Sequence, residues 1–212
     1  MTTKKAWMRG ALSVGLALVT LVSAFAADSS TPDGLVKELS LETLEAVKAD
    51  KAIQAGDVQR IQALVEAKVM PHVNFKKLTA GAVGRYWRQA SPEQQERLQK
   101  EFRLLLIRTY AGALSQVKDQ QLAFKPLKMA PDETDVVVKT QVRGKGDPIQ
   151  LDYRLEKADK GWQIYDMNVL GIWLGEQYRS SFAQEISANG IDGLIKTLSE
   201  RNQKAMAQSA KG

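Results

Sequence analysis

Residues 134–169 hold three apolar runs with very little chain between them, and that brevity restricts the fold more than any other feature of the sequence. The runs cover residues 135–142, 149–155 and 162–169. The middle run alternates strictly. Ile149, Leu151, Tyr153 and Leu155 fall on one face and Gln150, Asp152 and Arg154 on the other, which is the two-residue period of a half-buried strand. Arg143-Gly144-Lys145-Gly146-Asp147-Pro148 and Lys157-Ala158-Asp159-Lys160-Gly161 supply turn residues. A parallel return needs about a dozen residues or more, so these strands must be antiparallel neighbours. Their apolar face requires a cover, and the flanking segments carry helical patterns.

Those patterns are punctuated by recognisable caps. Thr31-Pro32 reads as an N-cap with Pro at the first helical position, followed by Leu35, Leu39, Leu44 and Val47 and stopped by Gly56. Asp57 caps a second helix that ends before Pro71. Asn74 caps a third, with Phe75, Leu78, Ala82 and Tyr86 on one face. Ser91-Pro92-Glu93-Gln94 is the strongest start signal, a capping box ahead of Leu98, Phe102, Leu105, Leu106, Tyr110, Leu114 and Val117. This long helix is the expected cover of the sheet. Leu122 to Leu127 adds an edge strand. Beyond the meander, Tyr178, Phe182 and Ile186 are followed by a break at Asn189-Gly190 and a last helix through Leu198.

Residues 1–26 have the form of a leader: Lys4, Lys5 and Arg9, then a short apolar stretch over residues 11–22, then Ala24-Phe25-Ala26. A dozen apolar residues is too short to span a bilayer. Removing the leader lowers 30 basic residues to 27 against 24 acidic ones, so the net charge falls from +6 to +3. Residues 27–202 are then one domain and 203–212 a flexible, polar tail. The modest charge and the export signal argue against a nucleic-acid partner. With no cysteine, thiol catalysis, cysteine-ligated zinc and lipid attachment at an N-terminal cysteine are excluded. The expected product is a free periplasmic protein.

The side chains that could carry chemistry are few. His72 is the only histidine and has no companion for a metal site and no nucleophile signature nearby. Asp152 and Asp166 sit on neighbouring strands, and alternation places Asp152 on the polar face, where solvated carboxylates are expected. A carboxylate with its pKa raised in an apolar pocket would be the enzymatic alternative. Arg143-Gly144-Lys145-Gly146 lacks phosphate-loop spacing and reads as a basic turn. The aromatics suit either a filled core or a ligand cavity.

Met70-Pro71-His72-Val73-Asn74-Phe75, Gly84-Arg85-Tyr86-Trp87-Arg88-Gln89, Gly161-Trp162-Gln163-Ile164-Tyr165-Asp166-Met167, Tyr178-Arg179-Ser180-Ser181-Phe182 and Gly190-Ile191-Asp192-Gly193 resemble the MlaC, or toluene-tolerance, family across the chain. The resemblance implies an α+β fold, loosely NTF2-like, in which an antiparallel sheet of about four strands is covered by about six to seven helices and encloses an apolar pocket for phospholipid. It implies a non-enzymatic carrier without cofactor or metal. Its partners would be a phospholipid ligand, an inner-membrane ABC transporter bearing an MCE-domain subunit, and an outer-membrane lipoprotein–porin complex; we expect a monomer. Expected acyl-chain contacts are Val136, Val138, Val142, Leu151, Tyr153, Tyr165, Met167 and Val169 from the sheet, with Phe102, Leu105, Leu106 and Tyr110 opposite. In Gly171-Ile172-Trp173-Leu174 the sequence departs from a Gly-Val-Ser-Leu-like family run, and Trp173 is expected to reshape a pocket mouth. An enzyme acting on a hydrophobic substrate through Asp166 or Asp152, or a protein-binding adaptor, are the competing readings.

Overall fold

The structure, a computed structural model, describes residues 28–209, so the expected leader over residues 1–26 lies outside the described residues. All four anticipated N-caps form. The Thr31 hydroxyl accepts from the Gly34 amide at 3.1 Å at the head of α1 (Pro32–Ala49). Asp57 accepts from Gln59 and Arg60 to start α3 (Val58–Leu64), and Asn74 accepts from Lys77 to start α4 (Phe75–Val83). Ser91 and Gln94 exchange both bonds of the capping box on α5 (Pro92–Ser115). A fifth cap breaks the first helix earlier than its pattern suggests. Asp50 is extended, and its carboxylate caps the short α2 (Lys51–Gln54). After α3 the chain loosens into a π turn, Val65–Val69, and a 3-10 turn, Met70–His72, because Pro71 cannot continue an α-helical ladder.

The strands are β1 (Gln121–Phe124), β2 (Asp135–Arg143), β3 (Ile149–Ala158), β4 (Gly161–Val169) and the two-residue β5 (Ile172–Trp173). They form one antiparallel sheet in chain order, as the short turns require. Leu170 and Gly171 join β4 to β5 with φ values of 55° and 91°, a two-residue hairpin with both central residues left-handed. Gly tolerates this and Leu does not. Replacing Leu170 by Asn is expected to raise stability by about 1 kcal/mol, read as a higher denaturant midpoint at unchanged slope.

One irregularity in the sheet decides which side chains face inward. β3 and β4 pair Arg154 with Asp166 and then Leu155 with Ile164, so Tyr165 is the extra residue of a β-bulge. The inner face therefore carries Ile164, Met167 and Val169, and the expectation of Tyr165 on that face is corrected. Upstream of β5, the outer edge of β4 is covered by the turn before α4. Val73 forms a parallel bridge to Ile164, and the Asn74 amide donates to the Ile164 carbonyl at 2.8 Å.

The cover also differs from the expected one. α1 lies on β2 and β4, with α4 and α6 (Leu174–Ser209) over β4. α5 packs chiefly on α6, α3 and α4, one layer away from the sheet. α6 breaks at Gly190 (φ 71°), where the Asn-Gly pair was expected to interrupt the helix, and stays helical through Ser209, past the expected start of a tail.

Candidate functional site

Three apolar clusters fill the interior. The first joins α4, α5 and α6 through Phe75, Leu98, Phe102, Leu106, Phe182 and Leu198. The second lays Leu35, Val36 and Leu39 of α1 on Val136, Val138, Tyr153, Leu155 and Ile164 of the sheet. The third holds Val47, Ile53 and Ile61 against Ile107 and Ala111 of α5. At their margins, large apolar side chains are only half-buried. Val73 and Met167 pack against both the first and second clusters, Tyr110 and Val169 against the first, Leu151 against the second, and Leu114 against the third. The junction of the first and second clusters, bridged by Val73 and Met167, is the candidate site.

The structure places the sequence-derived residues unevenly around it. Phe102 and Leu106 are buried in the first cluster, and Leu105 and Tyr110 sit at its margin. Val136, Val138 and Tyr153 are buried in the second, with Leu151 and Met167 beside them. Val142 is half-buried next to Ile149, near the hairpin and outside all three clusters. Tyr165 stands apart. Its hydroxyl donates to Asp135 and the Lys77 ammonium lies 3.7 Å from its ring centre, and burial together with the Asp135 bond pushes its pKa up to about 12. The pattern reading missed the contribution of α1, whose Leu35 and Leu39 were legible as a helical face but not as the sheet's cover. It also missed Val73, whose only signal was an apolar residue beside a proline turn.

The inner face continues past the helices. Ile149 is 42% exposed, Ile172 55% and Leu170, at the hairpin tip, 67%. Register places Ile149 beside Val142, and Ile172 beside Val169, so an apolar surface runs from the junction to the open end of the sheet.

On the outer face, both carboxylates expected in solvent are buried, Asp152 at 4% exposure and Asp166 at 7%. The reason is tertiary: the β5–α6 corner folds over Asp166, while the Thr140 amide and the exposed Gln150 side chain both donate to Asp152. The Asp166 carboxylate accepts from the Met167 amide at 2.9 Å and the Gly175 amide at 3.1 Å and faces Arg154 at 3.4 Å. Burial nevertheless holds its pKa above the ordinary carboxylate value, against the lowering effect of those two amides and Arg154. Gly175 approaches closely, since a Cβ there would stand 3.3 Å from Asp166 Oδ2, a tight contact to which the carboxylate would have to yield. Trp173 pairs with Asn168 and stacks under Arg154 at 3.9 Å, on the outer face, so it does not shape an inner mouth; Ile172 holds the inward position.

A surface groove of about 750 Å³ lies on the α1–α3 side, among Ala46, Ala49, Ile53, Ala63, Leu64 and Ala67, and its lining includes the ion-paired Asp50 and Arg60. Among the described residues no group of three His, Cys, Asp or Glu side chains is placed to hold a metal. No helix among them is long and apolar enough to cross a membrane.

Residues 37–200 match the family model described as MlaC protein. A Haemophilus influenzae protein named intermembrane phospholipid transport system binding protein MlaC is 24% identical over 184 residues, covering 85% of this chain and 86% of the relative. The Pseudomonas putida toluene tolerance protein ttg2D is 28% identical over 186 residues, with coverage of 85% and 86%. A solved phospholipid-binding protein from Ralstonia solanacearum, in complex with a phospholipid, superposes with a TM-score of 0.78 at 44% identity, spanning 84% of this chain and 97% of that one. With a family match over most of its length, and with the sheet, caps and helical cover arranged around an apolar junction, this chain belongs to the MlaC family.

Proposed function

We propose that this protein is a periplasmic phospholipid carrier, moving lipid between the outer and inner membranes. The observation that carries the reading is its likeness to a relative solved with phospholipid bound, at 44% identity over nearly all of that relative. The interior supplies a physical counterpart: half-buried apolar side chains at the junction of the first two clusters, continuing as an apolar surface to the open end of the sheet. Each buried CH₂ is worth about 0.8 kcal/mol, so a sixteen-carbon chain in water is disfavoured by roughly 12 kcal/mol. Such a molecule needs an escort rather than a catalyst.

In this reading the acyl chains lie against Leu106, Tyr110, Leu151, Met167 and Val169, and Ile149 and Ile172 mark the mouth. The protein is not an enzyme: Asp166 acts as a buried acceptor for two amides that fixes the β5–α6 corner. Residues 1–26 serve as the export signal. Docking to an ABC transporter with an MCE-domain subunit, and to an outer-membrane lipoprotein–porin complex, completes the route for a monomeric carrier.

The test is mass spectrometry of organic extracts from the natively purified mature chain. Stoichiometric glycerophospholipid is expected. A lipid-free extract, together with no uptake from phospholipid vesicles, would sink the proposal.

A further inference from the structure

On α1 the inward residues follow helical spacing: Val36, Ser40, Thr43 and Val47. Val36 belongs to the second cluster, on the sheet, and Val47 to the third, with Ile107 and Ala111 of α5. Ser40 and Thr43 therefore stand where α1 passes from the sheet to α5. Two hydroxyls interrupt an otherwise apolar stripe at that point.

Three neighbouring hydroxyls have partners. Ser40 Oγ lies 3.4 Å from the Tyr153 hydroxyl, and Thr140 donates to the Leu151 carbonyl. Thr43 has none. Its Oγ1 is buried and has no hydrogen-bond partner, the one such side-chain atom among the described residues. Thr79 and Thr109, also inside helices, each donate to the carbonyl four residues back at 2.8 Å; Thr43 makes no such bond. A buried, unpartnered hydroxyl in an apolar interior calls for a ligand or another physical account.

We propose that the Thr43 hydroxyl, with Ser40 beside it, binds an ester carbonyl of the carried glycerophospholipid and so fixes the top of an acyl chain between sheet and α5. This rests on the carrier reading and adds the chemical group recognised. The hydroxyls on this stripe are neutral donors, matched to a neutral carbonyl that enters with the acyl chain. A phosphate would bring a charge that Ser40, Thr43 and Tyr153 cannot neutralise, and it is better served by solvent at the mouth.

The experiment compares dipalmitoylphosphatidylglycerol with its dihexadecyl diether counterpart, which lacks only the carbonyls, in competition for delipidated mature protein. Wild type should prefer the ester by about fivefold, the worth of one net hydrogen bond. Thr43→Val should erase that preference while binding the diether as wild type does, and Thr43→Ser should keep it. Equal binding of ester and ether by wild type would overturn the assignment. So would a Thr43→Val protein that retains the preference, even if the lipid-free variant melts at a higher temperature, because the hydroxyl would then be a packing defect. If wild type binds neither lipid, the carrier reading itself fails.

Discussion

Met167→Glu is expected to yield a protein that folds cooperatively, melts several degrees below wild type and carries at least tenfold less co-purifying phospholipid. Met167 packs against both the first and second clusters while remaining half-buried, so it borders the junction without being sealed in either cluster. A carboxylate there must either be neutralised or draw water into the path of an acyl chain. Leu106→Glu would be a poorer probe, since Leu106 is 8% exposed inside the first cluster and its replacement threatens the fold directly. Met167→Leu, similar in volume, should keep its lipid. Lipid load measured against a circular-dichroism melt separates the outcomes. A Met167→Glu protein that melts cooperatively with a full complement of lipid would show that the chains lie elsewhere.

The second large effect concerns the outer face. Asp166→Ala is expected to destabilise by about 2–3 kcal/mol, because the Met167 and Gly175 amides and Arg154 lose a shared acceptor. Asp166→Asn keeps an oxygen for the amides and should lose about 1 kcal/mol at neutral pH. The two proteins should also diverge with pH. Burial raises the folded-state pKa of Asp166 above its unfolded value near 3.8, so the folded state holds this proton more tightly. That stabilising contribution is complete below the unfolded value and is lost as pH rises through the folded one. Wild type should therefore gain stability relative to Asp166→Asn as pH falls from neutral toward 4. Urea midpoints at a series of pH values provide the check, and a gap that narrows on acidification would refute this account of the corner.

The two carboxylates mark where reading the chain in one dimension stopped. Alternation placed Asp152 on the polar side of its strand, which is the side it occupies, and Asp166 pairs with Arg154 on that same face. It carried no information that β5 and the head of α6 would fold over Asp166, because that contact depends on a left-handed turn at Leu170 and Gly171 and on the Gly175 amide reaching the carboxylate. Tyr165 failed for a related reason. A period-two pattern holds only while pairing is regular, and one extra residue in β4 moved Tyr165 out and Ile164 in. The assignment of α5 as the cover went astray because amphipathicity says that a helix buries a stripe, not which surface receives it.

Much was nonetheless local and therefore written in the chain. Short turns dictated an antiparallel sheet, and Thr31, Asp57, Asn74 and Ser91 set helix starts through bonds spanning only two or three residues. Asn189-Gly190 broke the final helix because only a residue free to adopt positive φ fits there. The sequence by itself determined elements, their starts and their order, since these follow from interactions between near neighbours. The tertiary structure alone decided the bulge, the cover and the junction of the first two clusters. Each depends on which distant surfaces come together, and apolar periodicity is the same whether the facing surface is a side chain or a lipid.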